Sequence, residues 1–316
     1  PYFKVRDKQD GSFGCANICV AEAASGENLL IFKNVTAVFE VTVPEGTTKL
    51  TVTSLGKIDS ETGQRGTAAK DKAAINTTGE GDAAKVITVE KSDKSAFEED
   101  FVYVAVAVDP EKGVLLADLN FDTGSAQGGV SPNYIKSKEK DPLEYKAAAG
   151  TIYTPVLHEY VVVDGKKWAT MNVGATSPTD YGDYFMWGET SGQKPSDSKF
   201  DPGFSWTTYH SRTVFTSAVY VKSSSEKVFK KYVPFDKASI YGDEGTYYDD
   251  KNTLDLEDDA AFCNWGGAWR MPKENDFINL LNNTSTNKSN FDATSGVLTI
   301  NGTSLTFPAA GYGGAW

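Results

Sequence analysis

The chain has 316 residues, a length that favours two domains over one large β domain. Its formal net charge of -12 disfavours nucleic acid and anionic lipid as partners. Aromatic residues make up 12% of the chain and Met is limited to 3 residues, a balance that favours sheets over helical bundles. No run approaches the roughly 20 apolar residues that span a bilayer, so we expect no transmembrane segment.

The first half of the chain contains patterns that are typical of strands. Apolar residues alternate over 34–43 and again at Leu50 and Val52, with a turn at 44–46 between them. Residues 101–108 are nearly all apolar, and alternation over 115–121 follows the turn at 109–113. Several short strands separated by polar turns predict a β-sandwich.

Two polar stretches interrupt these strands. Residues 56–85 lack aromatic side chains, which predicts exposed loops and weak edge strands. Residues 123–146 form a second polar stretch, and the charge run at 136–141 within it predicts a solvated surface.

The character of the sequence changes near residue 157, where we place a domain boundary. A strand over 158–163, a tight turn at Asp164-Gly165 and a returning strand over 168–173 predict a hairpin. Helices are predicted over 256–265, ending at Gly266-Gly267, and over about 273–282, with Phe277, Leu280 and Leu281 on one stripe. The Asn301-Gly302 turn predicts a last hairpin over 297–307.

Residues for covalent catalysis are scarce in this sequence. His158 and His210 are the two His residues that could act as a base, and neither follows a Ser or Cys nucleophile signature. We therefore interpret both as structural and predict that the chain is not an enzyme. Cys15 and Cys19 supply two of the four ligands that a structural zinc site takes, and a disulfide between them stays open.

Asp258 and Asp259 allow two interpretations. They could hold Ca²⁺ together with backbone carbonyl oxygens, because hard cations take oxygen ligands. Alternatively, they are surface acids near a helix N-terminus, where the helix dipole favours negative charge. Glycoside hydrolysis by the neighbouring acids Glu257, Asp258 and Asp259 is disfavoured, because adjacent helix positions point in different directions and cannot face each other across one bond. Apart from Ca²⁺, we predict no cofactor.

Aromatic side chains cluster between residues 181 and 209. Such a cluster is either an irregular core under long loops or a platform for sugar rings and protein partners. For the second case, we name four side chains as candidate ligand-binding residues: Tyr184, Trp187, Trp206 and Tyr209.

Residues 28–34, the strand that follows to Val43, and 50–53 resemble the opening of the fimbrillin-like proteins of Bacteroidetes. Residues 150–153 look like the closing strand of that domain. The resemblance implies a transthyretin-like β-sandwich over 1–157. It also implies assembly into pili by strand donation, in which an extended segment of one subunit pairs with the open sheet edge of a neighbour.

Six ordered blocks of the second half resemble the Fibrobacter succinogenes major paralogous domain, namely 158–161, 168–175, 180–189, 258–261, 264–272 and 307–312. This resemblance implies an α+β, C-type-lectin-like domain over 158–316. Relatives continue into further strands after the last block, so we expect the domain to be incomplete at its C-terminus. The Glu-Pro-Asn and Trp-Asn-Asp signatures of Ca²⁺-dependent sugar binding are absent, so sugar binding does not follow from the fold.

Together the resemblances imply a mainly β, exported protein at the cell surface of a Gram-negative bacterium, either anchored in the outer membrane or part of a fimbria. The chain begins at Pro1, and we expect that an upstream segment has been removed. The predicted function is that of an adhesin subunit, with the lectin-like half as the distal tip. Its expected partners are other pilus subunits and a host or bacterial surface protein or glycan. The alternative is a glycan-binding lipoprotein of a nutrient-uptake system.

Overall fold

A computed structural model describes residues 4–23, 30–108, 113–136, 142–185, 187–192, 194, 219–221, 227–229, 232, 251–282, 289–300 and 302–309. The protein is mainly β, with several sheets and few helices, as the sequence predicts. It divides into two compact units, of which the first contains Pro1–Glu159 and Asn264–Trp269 and the second contains Tyr160–Cys263 and Arg270–Trp316. The predicted boundary of independently folding domains near residue 157 stays a prediction.

Unit 1 consists of short strands with two small helices. The helices are α1 (Phe13–Ala16) and α2 (Pro132–Lys136). The strands are β1 (Lys8–Gln9), β2 (Cys19–Ala23), β3 (Leu30–Asn34), β4 (Thr36–Thr42), β5 (Lys49–Ser54), β6 (Val86–Glu90), β7 (Phe101–Ala107), β8 (Leu119–Asp122), β9 (Ala126–Gly129), β10 (Ile152–Tyr153) and the first half of β11 (Val156–Val163). Three 3-10 turns lie at Ala69–Asp71, Ala83–Lys85 and Leu116–Asp118.

Two sheets of unit 1 share one core. The larger sheet has the order β1-β6-β5-β8-β9-β11, and the smaller one has the order β10-β4-β7. Neighbouring strands are antiparallel except for the two-residue pairs β1–β6 and β10–β4, which are parallel. The two strands predicted within 34–53 are β4 and β5, which lie in different sheets, so the turn at 44–46 crosses between sheets.

Alternation along β4 and β7 builds the core of unit 1. Every second residue of β4, beginning with Ala37, and of β7, beginning with Val102, is buried in one apolar cluster. The facing sheet contributes Leu50, Val52, Ile87, Val89, Leu119 and Phe121. The rings of Phe39 and Phe121 lie 5.1 Å apart, so they connect the two sheets. This period of two is the pattern that predicted the strands.

The chain-start segment, residues 4–18, covers the outer face of the β4–β7 pair. Val5 and Ala16 are buried there against Val38 and Ala105, with Ile18 packed beside them. These contacts form a second, smaller cluster that is separate from the main core of unit 1.

Two sequence predictions in unit 1 are wrong in part. Residues 116–118 form a 3-10 turn rather than a strand, and buried Asp118 in this turn pairs with the guanidinium of Arg65 at 2.9 Å. The polar stretch 123–146 includes β9, which is fully buried. Its Ala-Gln-Gly-Gly sequence has no apolar alternation, so periodicity could not find it. The charge run at 136–141 falls almost wholly outside the described residues.

A two-stranded hairpin, β2–β3, precedes β4. Val35 connects β3 to β4, and its N–H donates to the carbonyl of Ile18. Cys15 and Cys19 are free thiols, and Cys19 donates to the side-chain oxygen of Asn34.

Unit 2 contains the second half of β11 and the remaining elements. The strands are β12 (Lys166–Ala169), β13 (Val219–Val221), β14 (Lys227–Phe229), β15 (Ser289–Asp292), β16 (Val297–Ile300) and β17 (Thr306–Pro308). The helices are α3 (Ala260–Trp265), whose last two residues belong to unit 1, and α4 (Glu274–Asn282). A 3-10 turn lies at Leu256–Asp258.

The predicted hairpins of unit 2 are present, although the returning strand predicted over 168–173 is the shorter β12 (Lys166–Ala169). β11 and β12 pair around Asp164 and Gly165, both at positive φ, which an Asp-Gly turn tolerates. β16 pairs with β17 and with β15 in a three-stranded sheet. The predicted helix over 256–265 is wrong as a single element, because a 3-10 turn and α3 are separated at Asp259.

Helix α4 packs on the β11–β12 hairpin. Leu280 is buried against Val163 and Trp168, whereas Phe277 and Leu281 of the predicted stripe are partly exposed. The Phe277 ring still contacts the Trp168 ring, with centroids 5.6 Å apart. Buried Asp276 pairs with both Lys166 and Arg270. Burial alone would raise the pKa of Asp276, but hydrogen bonds from these two cations hold its pKa below the ordinary value.

We expect Phe39→Ala to destabilise the protein by about 3–5 kcal/mol, because it leaves a cavity between the two sheets of unit 1. Phe32→Ala is the matched control, since the Phe32 side chain is 69% exposed. It should change stability by less than about 0.5 kcal/mol. Urea unfolding of both variants measures the difference, and equal effects would contradict the sandwich packing.

Candidate functional site

The predicted aromatic platform lies in unit 2. Trp187 is 51% exposed, and Tyr184 is half-buried. Trp206 and Tyr209 lie outside the described residues. Of the four predicted ligand-binding side chains, the structure therefore describes two, and Trp187 is the one whose ring presents a large face to solvent.

Tyr232 connects Trp187 to a group of acidic residues. The rings of Trp187 and Tyr232 meet edge to face, with centroids 6.2 Å apart. The Tyr232 hydroxyl donates to Asp258 Oδ2 at 2.6 Å and accepts from the backbone N–H of Asp255 at 2.9 Å. Tyr232 has φ +65°, a conformation that costs free energy for a bulky residue and often occurs at functional sites.

The acidic group consists of Asp255, Glu257 and Asp258, whose carboxylate oxygens lie within 4.8 Å of one another. The 3-10 turn at Leu256–Asp258 explains the proximity, because residues three apart eclipse in this geometry and Asp255 precedes Asp258 by three. Among the described residues, these three carboxylates are the ones that could hold a metal ion. Lys251 partly neutralises the group through an ion pair with Asp255 at 2.9 Å.

Burial raises the pKa of Tyr232, and the hydrogen bond to Asp258 raises it further. The phenol therefore stays protonated at neutral pH and acts as a donor to Asp258. Asp255 and Asp258 are buried, and Glu257 is exposed, so Glu257 is the carboxylate of the group that solvent reaches most easily. The arrangement offers a flat aromatic face and a carboxylate, which suits hydroxyl-bearing or cationic ligands.

The two predicted metal ligands are adjacent in sequence but point to different partners. Asp259 accepts hydrogen bonds from the backbone N–H groups of Phe262 and Met271, so its carboxylate caps α3 and fixes the loop after it. Burial raises the pKa of Asp259, although these hydrogen bonds act in the opposite direction. Both Asp258 and Asp259 are buried, so their interpretation as surface acids is wrong. Ca²⁺ binding stays a prediction, and the group that could carry it includes Asp258 but not Asp259.

His158, the candidate base within the described residues, is packed in unit 1. Its ring stacks on Trp265 with centroids 4.2 Å apart. Burial lowers the pKa of His158 to about 4, so the imidazole is neutral at pH 7. His210 lies outside the described residues. In unit 2, the buried thiol of Cys263 donates to the carbonyls of Leu256 and Glu257.

Sequence reasoning missed Tyr232, Asp255 and Lys251. Asp255 had a usable signal, because it lies three residues before Asp258 and four after Lys251, spacings that place side chains on one side of a helical turn. Tyr232 had none, since it lies 23 residues before Asp255 and approaches it through tertiary structure.

Comparison with protein-family models, curated proteins and solved structures gives no match. Within the described part of the chain, no helix has the length and apolar character needed to cross a membrane.

Tyr232→Phe should destabilise the protein by about 1–3 kcal/mol, because it leaves the buried Asp258 carboxylate without this donor and the Asp255 N–H without this acceptor. Tyr181→Phe is the control, since Tyr181 is largely exposed. Denaturant unfolding followed by Trp fluorescence compares the two variants. A Tyr232→Phe protein as stable as the control would show that the phenol does not organise the acidic group.

Proposed function

We propose that the chain is a cell-surface or fimbrial adhesin subunit, exported from a Gram-negative bacterium, which binds and assembles rather than catalyses. In this proposal unit 1 is a fimbrillin-like, transthyretin-like sandwich and unit 2 is a C-type-lectin-like domain. Its partners are neighbouring subunits, joined by strand donation, and a protein or glycan on another surface. The observation that carries the proposal is that, among the described residues, the edge of β7 opposite β4 bonds to the chain-start segment and to Ile75 instead of pairing with a strand.

The second edge of β7 is covered by isolated contacts instead of a full strand. β4 pairs along the whole length of β7 on one side. On the other side, the N–H of Tyr103 donates to the Gly11 carbonyl, and the N–H of Ala105 donates to the side chain of Gln9. The N–H of Ala107 donates to the carbonyl of Ile75, which lies outside the chain-start segment. The Gln9 amide also donates to the Ala105 carbonyl at 2.8 Å.

A longer strand from another subunit would form a more regular ladder at this edge. β1 is two residues long and pairs with β6 through those two residues. Val5 and Ala16 fill a cluster separate from the main core, so their removal leaves the sandwich core intact. A strand from a neighbouring subunit could therefore replace the chain-start segment at the β7 edge. Such a replacement would be β-augmentation.

A peptide of residues 4–18 tests this exchange on the full-length protein. Gln9→Ala removes both side-chain hydrogen bonds to Ala105, a loss of about 1–2 kcal/mol, and should speed uptake of the labelled peptide roughly 5–30-fold. It should also increase the fraction of polymer seen by size-exclusion chromatography. A scrambled peptide is the control. Absence of both uptake and polymer in the wild type and in Gln9→Ala would refute the assembly part of the proposal.

The Trp187 site favours a second candidate function, glycan capture by a surface lipoprotein of a nutrient-uptake system. The exposed indole of Trp187 contacts Tyr232, the hydrogen-bond partner of Asp258, and Glu257 is the exposed carboxylate of the same acidic group. A sugar ring that stacked on the indole could donate a hydroxyl hydrogen bond to such a carboxylate.

A polysaccharide array separates this candidate from the first. Trp187→Ala should weaken binding about tenfold if a sugar stacks there, since such contacts contribute about 0.5–1.5 kcal/mol beyond buried area. Phe291→Ala removes another exposed ring of unit 2 and should leave binding unchanged. Unchanged binding by Trp187→Ala would exclude this site as a sugar platform, and binding of subunits without any glycan would favour the adhesin proposal alone.

A further inference from the structure

Six residues from the second half of the sequence belong to unit 1. The segment Asn264–Trp269, called here the strap, is flanked on both sides by residues of unit 2. Its sequence is Asn-Trp-Gly-Gly-Ala-Trp, which combines two large rings with two residues that lack a side chain. Within unit 1, the strap lies against β8, β9 and the residue that follows β9.

The backbone of the strap approaches the backbone of β9 too closely for side chains. Gly267 has φ +61°, and a Cβ added there would lie 2.6 Å from the carbonyl oxygen of Gly128 and 2.5 Å from Asn120 Oδ1. A Cβ on Gly266, at φ +64°, would lie 2.5 Å from the carbonyl oxygen of Val130. A Cβ on Gly129 would collide with the backbone of Gly267. Glycines on both sides are therefore required for the contact.

The strap also supplies polar partners to buried groups of unit 1. The N–H of Ala268 donates to Asn120 Oδ1 at 2.9 Å, and Asn120 is buried on β8. The indole N–H of Trp269 donates to the Gln127 carbonyl of β9 at 2.8 Å. Without the strap both acceptors would lose a donor, which is costly for buried groups.

Two rings complete the contact surface. Trp265 and Trp269 are both buried, and their rings meet edge to face at 5.4 Å. Trp265 also stacks on His158, which belongs to the part of β11 that pairs with β9. The strap therefore contacts three consecutive strands of the larger sheet.

We infer that the surface formed by Asn120, Gln127, the Gly128-Gly129 pair and His158 is a docking site whose partner is the chain's own strap, and that unit 1 requires this segment for its native stability. Residues 1–159 alone do not complete the unit, and β8 and β9 become protected only after residue 269 has been synthesised. The inference does not depend on what the protein binds.

Hydrogen–deuterium exchange on the full-length protein tests the inference. Gly267→Ala should accelerate exchange of the β8 and β9 amides by about tenfold or more, because the added Cβ collides with β9. Gly302→Ala is the matched control, since Gly302 also has positive φ, at +77°, but has no atom within 4 Å of an added Cβ. It carries the same backbone strain without the collision and should leave exchange in β8 and β9 within about twofold of the wild type.

Trp269→Phe provides a second test if Gly267→Ala fails to fold. It keeps an aromatic ring but removes the donor to Gln127, and should accelerate β9 exchange by about three- to tenfold. The inference is overturned if either folded variant accelerates exchange in the strap while β8 and β9 keep wild-type protection. It is equally overturned if Gly302→Ala affects β8 and β9 as much as Gly267→Ala does.

Discussion

Several buried polar groups in this protein obtain a partner from a segment that is distant in the sequence. In unit 1, Asp118 pairs with Arg65, and Asn120 accepts from Ala268, which lies 148 residues away. In unit 2, Asp258 accepts from Tyr232. An unpaired buried polar group costs about 1–3 kcal/mol, a large part of the net stability of a domain. Each unit therefore depends on contacts between segments that are far apart in the sequence.

Local patterns in the sequence predict the elements whose causes are local. The alternation of β4 follows from the two-residue period of a strand, and the Asp164-Gly165 turn follows from the positive φ that this pair accepts. β9 could not be predicted in this way, because its Ala-Gln-Gly-Gly sequence has no apolar alternation and its backbone packs closely against Gly267, which is distant in the sequence. The apolar alternation also predicts a strand over 116–118, whereas these residues form a 3-10 turn. Asp118, buried in this turn, pairs with Arg65.

In the candidate site, too, features with local causes can be predicted from the sequence and features with tertiary causes cannot. The density of aromatic residues around Trp187 marks it as a candidate but leaves open whether its ring is exposed, whereas proximity of Asp255 to Asp258 follows from their spacing. Tyr232 could not be expected, because its role depends on a tertiary contact and on a positive φ that its residue type disfavours. The sequence thus indicates which residue types are available for binding. How Trp187 is connected to the acidic group can be seen only in the folded structure.

Strand exchange at the β7 edge requires that unit 1 keep its structure while the chain-start segment leaves. That segment bonds to β6 and β7, through Thr88, Tyr103 and Ala105, and also to Thr36 of β4, Thr77 and Thr78, whereas the strap bonds to β8 and β9. The two segments therefore stabilise different strands, and the main core around Phe39 and Phe121 depends on neither of the residues that the chain start buries, Val5 and Ala16. Loss of the chain start exposes one small cluster and one edge, while the strap continues to hold the middle of the larger sheet. In the proposed function, this separation is what would allow a subunit to exchange a strand without unfolding.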